Sequence, residues 1–148
     1  MINIEESIII HRPIEEVFTY MTDLRNAPEW QSGLLEVQQT TEGPVGIGTT
    51  YLAVRRFLGR KIESTMEIIG YEPNSSLKWK TVSSPMPFTT AWHFKLTAEG
   101  TQVIWTLEAE VGLFGLADRF VANSIRRDAV AGFGTLKDML ESQVIAAA

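Results

Sequence analysis

The sequence predicts an α+β fold in which a curved antiparallel sheet is closed by one long C-terminal helix. Three observations carry this. Residues 11–33 read as two short helices between strands, with Pro13 near the start and Gly33 near the end. From Leu34 onward, turn signals recur roughly every dozen residues and separate strand-like runs. Past residue 115 a single amphipathic stripe runs almost to the C-terminus. A run of strands followed by one long helix is an α+β layer arrangement. A curved sheet closed by a helix has an inside, and an inside of that shape is usually a ligand chamber.

The elements follow in order. Residues 3–10 hold Ile4, Ile8, Ile9 and Ile10, a β-branched run that reads as a strand. Pro13 suits the first helical position, with Glu15 and Glu16 in the first turn where the helix dipole favours acidic groups. Ile14, Val17, Phe18 and Met21 then form one apolar face. Asp23 is a capping residue for a second helix that passes through Pro28 and Glu29 to Trp30. Strand-like runs follow at 34–40, 49–57, 61–71, 76–82, 88–97 and 101–110. Leu77 and Trp79 alternate with Lys78 and Lys80, and Trp92, Phe94 and Leu96 with His93 and Lys95. Val103, Trp105 and Leu107 alternate with Thr106, Glu108 and Glu110. Such alternation describes antiparallel strands with one wet face. Gly112 and Gly115 bracket Leu113-Phe114 before a helix over 115–143. Its apolar stripe is Leu116, Phe120, Val121, Ile125, Ala129, Val130, Phe133, Leu136 and Leu140. That helix spans ~40 Å, enough to cross a curved sheet.

A chain of 148 residues is one domain's worth, read as 1–148, and buries a core without staples. With no cysteine, disulfides and thiolate chemistry are excluded. The net charge of −5 argues against a nucleic-acid partner. The compact basic cluster Arg55, Arg56, Arg60 and Lys61 is split by Leu58-Gly59, a hairpin signal. No apolar run is long enough to span a membrane, and Met1–Glu6 lacks the basic and apolar regions of a signal peptide. A cytoplasmic location is the expectation.

Several stretches together resemble the START-like, helix-grip (SRPBCC) superfamily, in its polyketide cyclase/dehydrase-like branch. They are Arg12–Phe18, Pro28-Glu29-Trp30, Val45–Thr49, Leu58-Gly59-Arg60, Tyr71-Glu72-Pro73 and Gly100–Val103. The resemblance covers essentially the whole chain. It implies a seven-stranded sheet gripping the C-terminal helix, with a cavity between them whose mouth is formed by the two small helices and the strand-connecting loops. Superfamily members bind lipids, hormones, polyketides or other apolar molecules, and some catalyse cyclisation or dehydration. The motif transfers fold and cavity, not chemistry.

The expected ligand-binding set is Trp30, Tyr51, Arg55, Phe57, Trp79, Phe88, Trp92, Phe94, Trp105, Phe120 and Phe133. Trp30 is read as an entrance residue, because it sits on a short helix beside a loop. Trp79, Trp92 and Trp105 are read first as core packing, roughly 2–3 kcal/mol of burial apiece, a role compatible with lining a chamber. Strand 49–57 is open in phase: Tyr51, Ala53, Arg55 and Phe57 share one face, and Leu52, Val54, Arg56 and Leu58 the other. An inward Arg55 would meet a carboxylate ligand or an acidic neighbour such as Glu63, while an outward one would snorkel to water.

No catalytic residue is assigned. His93, between Trp92 and Phe94, is expected in solvent, and His11 in local backbone contacts. Glu108 and Glu110 fall on the wet face, and one of Glu5 and Glu6 points inward. Ser7, Ser64, Thr65 and Thr90 are candidate cavity hydrogen-bonding groups. Two lone histidines make no metal site, no cofactor is expected, and no Ser-His-Asp order or phosphate loop is present.

Binding of a small hydrophobic or amphipathic molecule, for storage, transport or sensing, is the leading expectation. A cyclase or dehydratase using the same cavity is the alternative. A protein-interaction module would instead expose an apolar patch on the sheet or the 112–118 loop. A homodimer is compatible with all three. Loops 43–48 and 83–88 combine Pro with Gly or Ser and read either as gates or as rigid turns.

Overall fold

A computed structural model describes residues 2–110 and 118–147. The strands are β1 (Ile2–Ile10), β2 (Leu34–Gln39), β3 (Thr50–Phe57), β4 (Arg60–Glu72), β5 (Ser76–Ser83), β6 (Phe88–Thr97) and β7 (Gly100–Ala109). They form one antiparallel sheet in the order β1-β7-β6-β5-β4-β3-β2. Helix α1 (Ile14–Thr22) and a 3-10 helix (Leu24–Glu29) lie between β1 and β2, and α2 (Asp118–Ala147) follows β7. This is the expected helix-grip arrangement. The Gly112–Gly115 bracket, Leu116 and the expected helix start at 115 lie outside the described residues.

The connectivity explains how the sheet is closed. Consecutive strands from β2 to β7 pair with one another, but β1 pairs with β7. The chain must therefore pass from one sheet edge to the other through α1 and the 3-10 helix. Register irregularities between Leu34 and Glu36 on β2, and at Thr65/Met66 and Ile68/Gly70 on β4, bend the sheet.

One local expectation is corrected. Pro13 is the residue before helix α1, not its first turn: its ψ of 145° is extended, and the helix begins at Ile14. The second short helix is present as expected and is of the 3-10 type. Asn26 N–H donates to Asp23 O and Trp30 N–H to Ala27 O, both three residues back, and Pro28 has no N–H to continue a wider helix. Asp23 does cap it, accepting from the Arg25 N–H at 3.3 Å.

The core divides by end. Under α1, Phe18 packs edge-on against Phe94 and Tyr71, at centroid distances of 5.1 and 5.8 Å. Tyr51, Met66 and Ile68 fill the same cluster. Towards the other end, Ile4, Phe57, Ile62, Met86, Leu107 and Val121 form a second cluster. Helix α2 is tied to β1 at both levels. Arg126 pairs with Glu6 at 3.0 Å, and Lys137 Nζ donates to the Ile9 carbonyl at 2.6 Å and to Glu141 at 2.7 Å.

Within α2, Val121, Phe133, Leu136 and Leu140 are buried, but Phe120 and Val130 are exposed. Each helical residue advances by about 100°. Phe120 and Val130 thus turn off the buried stripe that Val121 and Ala129 begin and continue.

Candidate functional site

Between the sheet and α2 lies a cavity of about 150 Å³. The phase of β3 is resolved here: Tyr51, Ala53 and Phe57 are buried, whereas on the other face Arg56 and Leu58 are exposed and Val54 alone is buried. Arg55 shares the inward face and reaches the cavity.

Aromatic rings form the wall. Trp79 meets Trp92 edge-on at 4.6 Å, and Trp92 meets Trp30 at 5.8 Å. Trp30 stacks on Phe133 of α2 at 5.9 Å and 18°, and Phe133 meets Trp105 edge-on at 6.4 Å. Strand pairing sets this up, because Trp92 lies directly opposite both Leu77 and Trp105. Gly132 completes it from the helix side: a Cβ there would stand 3.1 Å from the Trp30 carbonyl oxygen. The bare backbone lets the indole lie against α2. Phe57 and Phe88 add to the wall.

Polar groups occupy two places. Ser64 Oγ and Ser84 Oγ lie 2.8 Å apart, and Ser84 Oγ also accepts from the Met86 N–H. Thr90 accepts from the Trp105 indole N–H at 2.8 Å and donates to the Thr106 carbonyl at 2.6 Å. The second place combines Gln31, Ser32, Arg55, Arg56 and Asp128. Ser32, Arg56 and Asp128 are exposed, so this side is the mouth. Arg55 donates to Gln31 Oε1 over 3.5 Å. Desolvation by its surroundings pulls the guanidinium pKa below its ordinary value, partly opposed by the negative charge of Asp128.

Other expected residues fall elsewhere. Tyr51 and Phe94 point inward but do not line the cavity, because Phe18 and its neighbours from α1 fill that end. Phe120 is 54 % exposed. Trp30 is 5 % exposed and is a wall rather than an entrance. Loop 43–48 contributes nothing to the lining, whereas Ser84, Met86 and Phe88 do. Neither small helix lines the cavity: the lining residues of this stretch are Trp30 to Gly33, in the turn that follows the 3-10 helix, so the mouth expected at the two helices lies at that turn instead.

Ser64 and Thr90 line the cavity, while Ser7 is exposed and Thr65 occupies the opposite strand phase from Ser64. Glu6, not Glu5, is the inward carboxylate, and it is committed to Arg126. His93, Glu108 and Glu110 are exposed, as is His11, whose backbone N–H donates to Glu141 at 3.0 Å. Among the described residues, no group of three potential ligands could hold a metal.

Sequence reasoning missed Gln31, Ser84, Met86, Ile125 and Asp128. Ile125, Asp128, Ala129 and Gly132 recur at three- and four-residue steps, a signal obscured by counting Asp128 with the polar face. The contribution of Gln31 had no sequence signal.

The profile of a family described as polyketide cyclase / dehydrase and lipid transport matches residues 1–141. No curated protein matches the chain. Among solved structures, TTHA0849 from Thermus thermophilus superposes with a TM-score of 0.81 at 19% identity, over 99% of both chains. The Zhui aromatase/cyclase from a Streptomyces species gives 0.80 at 16% identity, over 99% of this chain and 97% of that one. A START superfamily protein from Mycobacterium smegmatis gives 0.77 at 9% identity, over 95% and 98%. At these identities the likeness is one of fold.

Proposed function

The chain belongs to the polyketide cyclase / dehydrase and lipid transport family, and from that premise we propose that it binds a small amphipathic molecule in the cavity between its sheet and α2. The observation that carries this is the wall itself. Four indoles and Phe133 surround about 150 Å³ of space, and charged groups gather at one side. A mostly apolar pocket with a few convergent polar groups is the usual form of a small-molecule site, and aromatic walls favour flat or cyclic ligands.

The test is native mass spectrometry of the purified protein, solvent extraction of anything bound, and a thermal-shift screen of aromatic and aliphatic compounds. A ligand present at about 100 times its Kd should add about 2.7 kcal/mol of stability. A protein that carries nothing and shifts with no compound contradicts the reading.

A cyclase or dehydratase is the second reading. The family description and the fold shared with the Zhui aromatase/cyclase favour it. The titratable side chains on the cavity wall are Arg55, Arg56 and Asp128. Asp128 is thus the carboxylate placed to move a proton, with Arg55 to hold an oxyanion. Unchanged turnover of a polyketide-like substrate in both Asp128→Asn and Arg55→Gln would end that reading.

A further inference from the structure

The same cavity carries information on the chemical class of its ligand, an inference that rests on the binding role proposed for it. Arg55 is placed on the inner face of β3 by its register with Leu34. Its partner is Gln31, at the long distance of 3.5 Å. Among the described residues, no carboxylate comes within ion-pair distance of it. Asp128 is the acidic group on the wall and acts on Arg55 from farther away. A guanidinium in that position keeps most of its planar fork of donors uncommitted, in the geometry that matches a carboxylate.

Size and charge narrow the class. About 150 Å³ is the order of space that takes one benzene ring, and the walls are flat indoles that favour a flat guest. On β3 the guanidinium turned to the cavity is Arg55, Arg56 lying on the exposed outer phase, and Asp128 stands at the exposed rim, so the one inward cation matches a monoanion. The order is also right. The aromatic wall lies inward, and the arginines lie on the side with exposed lining, so a charged head can stay partly hydrated while its ring is buried.

We propose that the ligand is a single-ring aromatic monocarboxylate, its ring held among Trp30, Trp79, Trp92 and Trp105 and its carboxylate paired with Arg55 at the mouth. Gln31 steadies the guanidinium, and Asp128 sets an upper limit on the negative charge admitted.

The experiment is calorimetric titration of the full chain with 3-phenylpropionate, 3-phenylpropanamide, 2-phenylethylphosphonate and indole, with tryptophan fluorescence as a second readout. The acid should bind about 10- to 100-fold tighter than the amide, the worth of a charge-assisted hydrogen-bonded pair. Arg55→Gln should bring acid and amide together, Arg55→Lys should keep part of the preference, and Asp128→Asn should tighten the acid several-fold. Equal binding of acid and amide to the unmodified protein overturns the anion site while leaving the cavity reading intact. That comparison needs no variant to fold. A preference that survives Arg55→Gln also overturns the assignment, and so does tighter binding of the dianionic phosphonate than of the acid. If none of the four compounds binds, indole included, the single-ring aromatic assignment is overturned, and the cavity reading is decided separately by the extraction and thermal-shift screen.

Discussion

The hydroxyl of Tyr51 is buried without a hydrogen-bond partner among the described residues. Burial raises its pKa, with the nearby Asp23 carboxylate adding to the rise, so the group stays neutral and pays for desolvation without return. Leaving such a group unpaired costs roughly 1–3 kcal/mol. Tyr51→Phe should therefore stabilise the protein, by about 1 kcal/mol in denaturant unfolding, with no loss of ligand binding. Glu141 presents the opposite case. Desolvation works to raise its pKa, but the hydrogen bonds from Lys137 and from the His11 N–H outweigh it, and its carboxyl sits below the ordinary value of 4.5. The sign follows from that. A carboxyl whose folded pKa is depressed stabilises the fold fully above its unfolded pKa and loses that contribution as pH falls through the folded value. Glu141→Gln should lower the melting temperature at neutral pH and flatten its decline below about pH 4.5. A parallel decline in both proteins would count against the role of this pair.

At the scale of the element, two glycines in α2 separate function from helix propensity. A Cβ on Gly134 would meet nothing within 4 Å, so Gly134→Ala should recover the helix cost of glycine, about 1 kcal/mol. Gly132→Ala gains the same propensity but sets a methyl 3.1 Å from the Trp30 carbonyl. It should show a smaller gain or a loss, together with altered tryptophan fluorescence, because Trp30 must move in the cavity wall. The β6–β7 hairpin is less tolerant. Gly100 has φ +136°, and a Cβ there would lie 2.3 Å from the Ile10 carbonyl oxygen. Beside it, buried Thr101 donates to the Arg12 carbonyl at 2.8 Å. Gly100→Ala should cost about 3 kcal/mol, read as a lower urea midpoint at unchanged slope. Turn chemistry at Glu99-Gly100 is legible in sequence. That the turn abuts the end of β1 is not, because β1 lies some ninety residues away in the chain and beside β7 in the sheet.

For the molecule as a whole, the sheet order explains where the cavity can be. Helix α1 and the 3-10 helix cross from one sheet edge to the other and fill that end with Phe18, Met21 and Leu24. The remaining space lies further along, under α2, and is reached past Gln31–Gly33 and Asp128. The β5–β6 loop is part of that wall through Ser84 and Met86, whereas loop 43–48 is not. Amide hydrogen exchange should therefore slow at residues 84–86 when a ligand is bound and remain unchanged at 43–48. Equal protection of both loops would argue for general stabilisation rather than contact.

The residues themselves determine the strand alternation, the turns and the order β-α-helix-β-strands-α, because those depend on periods of two and 3.6 and on Gly, Pro and Asp chemistry within a few positions. They also place Trp79, Trp92 and Trp105 each on the apolar side of its own strand, whereas the joining of those sides into one wall follows from the pairing of β5, β6 and β7. Three matters were settled by tertiary structure. The phase of β3, and with it the inward turn of Arg55, depends on pairing with β2 and β4, because both of its faces carry an arginine among apolar residues. The exclusion of Tyr51 and Phe94 from the cavity depends on which end α1 fills. The meeting of Gln31, Arg55 and Asp128 joins a turn, a strand and a helix that are distant in the chain, and no local pattern encodes a contact made by closing a sheet around a helix.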